Sequence, residues 1–245
     1  MMKPEQDAFG KGVYDHFRGE PVIEIIERDD GHLGISGGAA AYFRPVDEWT
    51  DNQTAVLSLI QGRVLDVGCG PGRVCLFLQE KGYEVTGIDN SPLAIKTAQL
   101  RGVKDARLLS ITQASRKTLG IFDTIVMFGN NFGLFGNPKR AKWLLRRFYG
   151  MTSENGRILA ESRNIYKTDD PDHLAFHERN RKLGRLPGQL RLRVRYKTMI
   201  GAWFEYLMVS PEEMAEIVAG TGWYIAQIVP RENGVDYTAV LEKEP

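Results

Sequence analysis

The stretch from Val64 to Pro92, VLDVGCGPGRVCLFLQEKGYEVTGIDNSP, restricts the fold more than any other part of the chain. RVLDVG is a short apolar run that ends in a glycine-rich turn. GRVCLFLQEKG has helical spacing and stops at Gly82, and YEVTGID is a second apolar run that ends in an acid. Strand, crossover helix and second strand make a parallel βαβ unit, and the alternation continues downstream. SPLAIKTAQLRG reads as a helix with Ser91 as N-cap and Pro92 at its first position, and ARLLSI and FDTIVMFG read as strands. A helix starts at Asn137-Pro138, and GRILAES is a fifth strand. SPEEMAEIVAGTGW is a further helix capped by Ser210. YIAQIVP and DYTAVLEKE, joined at Arg231–Gly234, are closing strands that pair antiparallel. The expected fold is α/β, a mostly parallel sheet with helices on both faces.

Three regions lie outside this alternation. Residues 1–45 contain a short helical segment, a hairpin-like turn at Asp29-Asp30-Gly31 and a loop at Gly37-Gly38. They are read as an N-terminal lid segment in which Tyr14, His16, Tyr42 and Phe43 supply rings. Residues 46–60 read as an amphipathic helix leading into the first strand, so the main domain spans 46–245. Within it, 163–209 is an insertion: a helix in DPDHLAFHERNRKLGRLPG, then a β-hairpin in QLRLRVRYKTMIGAWFEYLMV. With 245 residues, a net charge of +1 and no apolar leader in MMKPEQDAFGKGVYDHF, a cytoplasmic protein without a membrane segment is expected. The two cysteines, Cys69 and Cys75, provide neither a disulfide framework nor a metal site, so no metal is expected.

The glycine turn narrows the ligand class. Gly68, Gly70 and Gly72 form G-x-G-x-G, whereas a dinucleotide fingerprint would need its third glycine at position 73, which is Arg. Asp66, at the end of the first strand, would repel a pyrophosphate but suits a cationic group. Asp89 ends the second strand, where an acid accepts both hydroxyls of a ribose. These residues point to a ribonucleoside that carries positive charge and no phosphate. S-adenosylmethionine has that chemistry.

LDVGCGPGR followed by VTGIDNSP resembles the first two motifs of the class I S-adenosylmethionine-dependent methyltransferases. The likeness covers residues 46–161 and 210–242. It implies a seven-stranded Rossmann-like methyltransferase sheet whose last strand lies antiparallel between the fifth and the sixth. It also implies S-adenosylmethionine as cofactor and S-adenosylhomocysteine as product. Carried onto this chain, Gly68, Cys69 and Gly70 would lie against the methionine portion, and Asp66 would position its amino group. Asp89 would bind the ribose, with Asn90 beside the adenosine. The family often places an acid after the third strand, where this chain has LLSIT, so Ser110 or a backbone carbonyl, with Ile111, would meet the adenine. Gly72 either contacts the ligand or only lets the helix pack on the strand, and Cys69 reads as a small filler rather than a reactive thiol.

The acceptor side is less determined. In GNNFGLF, which the resemblance places facing the transferable methyl, Asn130 orients the cofactor or an acceptor, and Asn131 is a candidate catalytic residue. A satisfied turn amide is the competing reading. His177 is the other catalytic candidate, as a general base, and Tyr14, Tyr42, Tyr166, Arg193 and Trp203 are candidate substrate contacts. Strict alternation in LRLRVRYK puts Arg191, Arg193, Arg195 and Lys197 on one face. That face is a solvated sheet surface, a site for an anionic acceptor or an acidic partner patch, or an RNA-binding surface. Methyl transfer to a small molecule is the expected function. The alternatives are a tRNA or rRNA methyltransferase using the basic strand, and a cofactor-binding regulatory module without turnover.

Overall fold

A computed structural model describes residues 4–245. Its strands are β1 (Ile25–Arg28), β2 (Leu33–Ile35), β3 (Val64–Val67), β4 (Val85–Asp89), β5 (Ala106–Leu108), β6 (Phe122–Met127), β7 (Thr152–Arg163), β8 (Gln189–Tyr196), β9 (Met199–Ile200), β10 (Phe204–Leu207), β11 (Trp223–Pro230) and β12 (Asp236–Lys243). Its α-helices are α1 (Ala8–Phe17), α2 (Asp51–Thr54), α3 (Arg73–Glu80), α4 (Pro92–Leu100), α5 (Arg116–Leu119), α6 (Pro138–Tyr149), α7 (Pro171–Lys182) and α8 (Pro211–Val218). Among the described residues, no helix is long and apolar enough to cross a membrane.

The main sheet has seven strands in the order β11-β12-β7-β6-β3-β4-β5. The pairs β3–β4, β4–β5 and β6–β7 are parallel, while β12 runs antiparallel to both β7 and β11. The last strand therefore lies between the fifth and sixth strands of this sheet, as the resemblance implies. Local chemistry accounts for most helix starts. Ser91, Asn137, Asp170 and Ser210 each accept an N–H of the first turn, and each is followed by proline.

By contacts, the chain divides into two compact units. The first runs up to Trp49 and adds Gln61–Ala114 and Leu192–Phe204. It carries β3, β4 and β5 with α3 and α4, and a second sheet in which β1 pairs antiparallel with both β2 and β8. Leu192, Val194 and Tyr196 of β8 are buried, as the alternation predicts. Val194 and Tyr196 pack with Ala8, and Phe9, Val22, Ile26 and Met199 close around them. The hairpin turns tightly between β8 and β9, where Lys197 takes the left-handed conformation (φ 51°).

The second unit comprises Thr50–Ile60, Ser115–Arg191 and Glu205–Pro245. It holds β6, β7, β12 and β11, with α6 and α8 against them. Trp223 is fully buried and donates its indole N–H to the Leu145 carbonyl at 2.9 Å, satisfying the polar atom of an otherwise apolar anchor.

Three expectations are corrected. Residues 46–60 do not form one amphipathic helix: 3₁₀ turns at Val46–Glu48 and Leu57–Leu59 flank the four-residue α2. Its polar side chains face inward, Asn52 donating to Thr238 Oγ1 at 3.0 Å and Gln53 to Glu161 at 2.6 Å, so the helical apolar stripe is missing. The strand read from ARLLSI stops at Leu108, because Ser110 caps a 3₁₀ turn, Ile111–Gln113, with a capping box. β7 is longer than GRILAES and starts at Thr152.

Candidate ligand site at the carboxyl ends of β3 and β4

Side by side in parallel register, β3 and β4 place Asp66 opposite Gly87 and bring their carboxyl ends to one edge of the sheet. The turn after β3 is held from below, with Gly68 and Cys69 both donating N–H to the Ile88 carbonyl at 2.9 and 3.1 Å. Gly68, Gly70 and Gly72 all have φ in the left-handed region, at 74°, 52° and 81°, where a side chain is strained. Their surroundings separate their roles. A Cβ on Gly70 would meet only the tip of Phe9, at 3.8 Å. One on Gly72 would come within 2.4 Å of Val103 and 3.3 Å of Ala98. Gly70 leaves the backbone open to a ligand, whereas Gly72 lets α3 pack.

Asp89 is fixed by two backbone donors. Its Oδ2 accepts from Gly70 N at 3.0 Å and its Oδ1 from Ser91 N at 2.9 Å. Each oxygen keeps a lone pair for a further donor, so the carboxyl is preorganised to take a pair of vicinal hydroxyls. Burial pushes its pKa up to about 6, although the Ser91 and Gly70 N–H groups oppose the rise. Asp66 is buried, and burial lifts it to about 7, against a hydrogen bond from the Cys75 thiol at 3.3 Å and the charge of Arg73. Asn90 is exposed beside them.

Cys69 is a packing residue here. The Cys75 thiol beside it favours its thiolate, but burial and the charges of Asp66 and Asp89 outweigh that and hold its pKa above the ordinary thiol value. A Cβ on Gly87 would lie 2.7 Å from the Cys75 sulfur and 2.9 Å from the Cys69 sulfur. At the other rim, Ser110 accepts from Thr112 N at 3.4 Å and its hydroxyl lies 3.0 Å from Thr112 Oγ1. Ile111 opens the 3₁₀ turn behind it.

The N-terminal segment reaches this site through residues that sequence reasoning missed. Asp7, fully buried, accepts from Gly10 N at 2.9 Å, Ser91 Oγ at 2.8 and 2.9 Å, and Leu93 N at 2.9 Å. It thus caps α1 and ties it to the start of α4. Gly10 is required there, since a Cβ would lie 2.2 Å from Ser91 Oγ. Phe9, held by this clasp, packs edge-on against Tyr42 with ring centroids 5.3 Å apart. Tyr42 donates to the buried Glu24 at 3.4 Å. Tyr14 lies beneath the Lys96 ammonium, 5.1 Å from its ring centroid.

The basic strand is largely neutralised within its own unit. Glu27 accepts from Arg193 at 2.6 and 2.8 Å and from Arg195. Those hydrogen bonds lower its pKa to about 2. The Arg193 guanidinium also stacks on Trp203, 4.4 Å from the ring centroid. Lys197 pairs with Asp15 at 3.0 Å and Glu20 at 2.6 Å. The paired sheet surface is the reading these contacts favour.

In the second unit, the loop after β6 is also built. Asn130 sits at φ 61°, which costs a non-glycine residue free energy and recurs at functional sites. Its carbonyl accepts from Tyr206 at 2.6 Å, and the N–H of the preceding Gly129 is held by Glu161 at 2.5 Å. Asn130 Oδ1 is buried without a hydrogen-bond partner, and Asn131 opens the 3₁₀ turn Asn131–Phe135. Tyr166 and His177 form another pair, ring centroids 6.4 Å apart, with the Tyr166 hydroxyl donating to Glu213 at 2.7 Å. Glu161 had a legible signal, an acid in the apolar run ILAES. Asp7 and Glu24 had none, because their partners are distant in sequence. Among the described residues, no group of three or more His, Cys, Asp or Glu is placed to hold a metal ion.

A family model described as a methyltransferase domain matches residues 64–156. The chain is 38% identical over 86 residues to a putative methyltransferase, YqeM, of Bacillus subtilis (strain 168), covering 34% of each chain. It is 29% identical over 174 residues to a glycine/sarcosine N-methyltransferase of Parasynechococcus marenigrum (strain WH8102), covering 65% of this chain and 58% of that one. The match thus spans 34% to 58% of the length of these curated relatives. A solved structure of an S-adenosylmethionine-dependent methyltransferase from Bacteroides fragilis, in complex with S-adenosyl-L-homocysteine, aligns with a TM-score of 0.84 at 26% identity. That alignment covers 100% of this chain and 98% of the other. Strand order, the glycine turn with its two acids, and these likenesses together make the chain similar to the class I S-adenosylmethionine-dependent methyltransferases, with a methyltransferase domain matched over residues 64–156.

Proposed function

We propose that this protein transfers the methyl group of S-adenosylmethionine to a small-molecule acceptor and releases S-adenosylhomocysteine. The observation that carries the cofactor reading is the Asp89 carboxyl, held by Gly70 N and Ser91 N at the open end of β4. Asp89 takes the ribose hydroxyls, and the left-handed Gly68 and Gly70 let the backbone approach the amino-acid tail. Asp66 compensates the ammonium of that tail, directly or through water. Bound S-adenosylmethionine supplies an electrophilic methyl on a good leaving group, so alignment and exclusion of water account for much of the acceleration. Phe9 and Tyr42 of the N-terminal segment act as the lid that excludes water.

A small-molecule acceptor is favoured over RNA because Arg193, Arg195 and Lys197 are already paired with carboxylates. Relatives named as a glycine/sarcosine N-methyltransferase and a ubiquinone biosynthesis O-methyltransferase support the same direction. The test is release of S-adenosylhomocysteine when the protein and cofactor are given a low-molecular-mass metabolite fraction or, separately, total tRNA. Release with the first, insensitive to nuclease, is expected. Release with tRNA alone would overturn the small-molecule assignment.

A further inference from the structure

Glu24 is 2% exposed, yet its Oε2 has no hydrogen-bond partner. Its carboxyl meets the Tyr42 hydroxyl, at 3.4 Å from Oε1, and the Ser36 hydroxyl nearby favours the ionised form. Among the described residues no lysine or arginine offsets its burial, which raises its pKa above the ordinary glutamate value. Neither protonation state resolves this arrangement. An ionised carboxylate leaves a buried charge without a cation, and a protonated one leaves a buried hydrogen-bonding group unmatched at Oε2. Each costs stability that a structural role does not recover. Buried polar groups left in this condition cluster at sites that bind something else.

The position of Glu24 says where that site is. The Tyr42 ring packs on Phe9, and the tip of Phe9 lies 3.8 Å from where a Cβ on Gly70 would stand. Two rings therefore separate the carboxyl from the turn that faces the cofactor. The segment bearing Tyr42 follows Gly38, whose φ of 73° is a conformation that favours glycine. The 3.4 Å contact from Tyr42 to Glu24 is long for an O–H donor to a carboxylate, so a stronger donor displaces it readily.

Resting on the methyltransferase reading above, we propose that Glu24 and Tyr42 form the recognition site for a cationic amine on the methyl acceptor. An ammonium N–H donates to Glu24 Oε2, and the Tyr42 ring faces the positive charge. An ammonium meets both needs of the site, a donor and a compensating charge. A neutral hydroxyl meets only the first, and an aromatic face beside a carboxylate adds cation–π attraction. Glu24 is thus a specificity residue for the acceptor and not part of the cofactor site.

The test is calorimetry on wild type and Glu24→Gln in two stages. S-adenosylhomocysteine is titrated first, then phenethylamine, its alcohol analogue and its carboxylic acid analogue are titrated into the loaded protein. Wild type is expected to bind the amine at least about tenfold more tightly than the alcohol and to reject the acid. Glu24→Gln, nearly isosteric, is expected to lose that preference. It keeps its S-adenosylhomocysteine affinity within about twofold, and its melting temperature does not fall, because a buried uncompensated carboxyl has been removed. No amine preference in wild type, or the same preference in Glu24→Gln, would overturn the assignment. The wild-type comparison decides the matter even where the variant does not fold. Failure of S-adenosylhomocysteine to bind wild type in the first stage would instead overturn the underlying reading.

Discussion

Asp66 and Asp89 end neighbouring strands, and both are lifted by burial, to about 7 and about 6. A carboxyl whose folded pKa lies above its unfolded value stabilises the fold fully below about pH 4. That contribution disappears as pH rises through the folded value. The ligand-free protein is therefore expected to lose stability between about pH 4 and 7 through these two groups, a trend that urea denaturation at stepped pH would follow. Binding a ligand with an ammonium reverses the preference, since the positive charge favours the ionised carboxylates. S-adenosylhomocysteine affinity should rise from pH 5.5 to 8, with proton release near pH 6.5 seen as a dependence of the binding heat on buffer ionisation enthalpy. Proton uptake instead would mean that neither acid faces the ligand's charge. Asp89→Ala should weaken binding by about 1–3 kcal/mol, the scale of hydrogen bonds to a charged group. Unchanged affinity in a folded variant would remove the ribose from Asp89.

Packing of helices against strands and against one another sets the next level. Gly72→Ala and Gly87→Ala both drive a methyl into occupied space, against Val103 in one case and the two cysteine sulfurs in the other. Each is expected to destabilise the fold by about 1–3 kcal/mol, read as a lower urea midpoint with the slope unchanged. Asp7→Ala removes the α1 cap and its anchor on α4. It should cost about 1–2 kcal/mol and raise hydrogen exchange in α1 before any other helix; uniform exchange would show that α1 is not a separately held lid. The same elements show what a sequence can and cannot reveal. Ser91-Pro92, Asn137-Pro138, Asp170-Pro171 and Ser210-Pro211 are adjacent residues that satisfy the first-turn donors of their own helices, so those starts were legible. The segment 46–60 was misread because Asn52 and Gln53 answer to Thr238 and Glu161, partners more than a hundred residues away.

Across the whole molecule, the parallel alternation and the antiparallel last strand follow from chain order and the handedness of crossovers, and the resemblance carried the strand order. The pairing of β1 with β8 did not follow from any local pattern. That is why the stripe of Arg191, Arg193, Arg195 and Lys197 left a sheet surface, an anionic site and an RNA surface all open, while Glu27, Asp15 and Glu20 pair with Arg193, Arg195 and Lys197. Asp66, Asp89 and the glycines were legible as a candidate site because their chemistry is local to strand ends. Glu24 was not, since only the fold surrounds it with Tyr42 and leaves one oxygen unmatched. If the basic strand is a paired sheet surface, tRNA affinity should be weak and lost by physiological salt. Binding that survives 200 mM salt would reopen the RNA reading. The central claim is that this chain binds S-adenosylmethionine's product at the ends of β3 and β4. Calorimetric titration of the purified chain with S-adenosylhomocysteine, with NAD in parallel, tests it most directly. Saturable stoichiometric binding of the first and none of the second is predicted; binding of NAD alone would contradict the reading of Asp66 and of the glycine spacing.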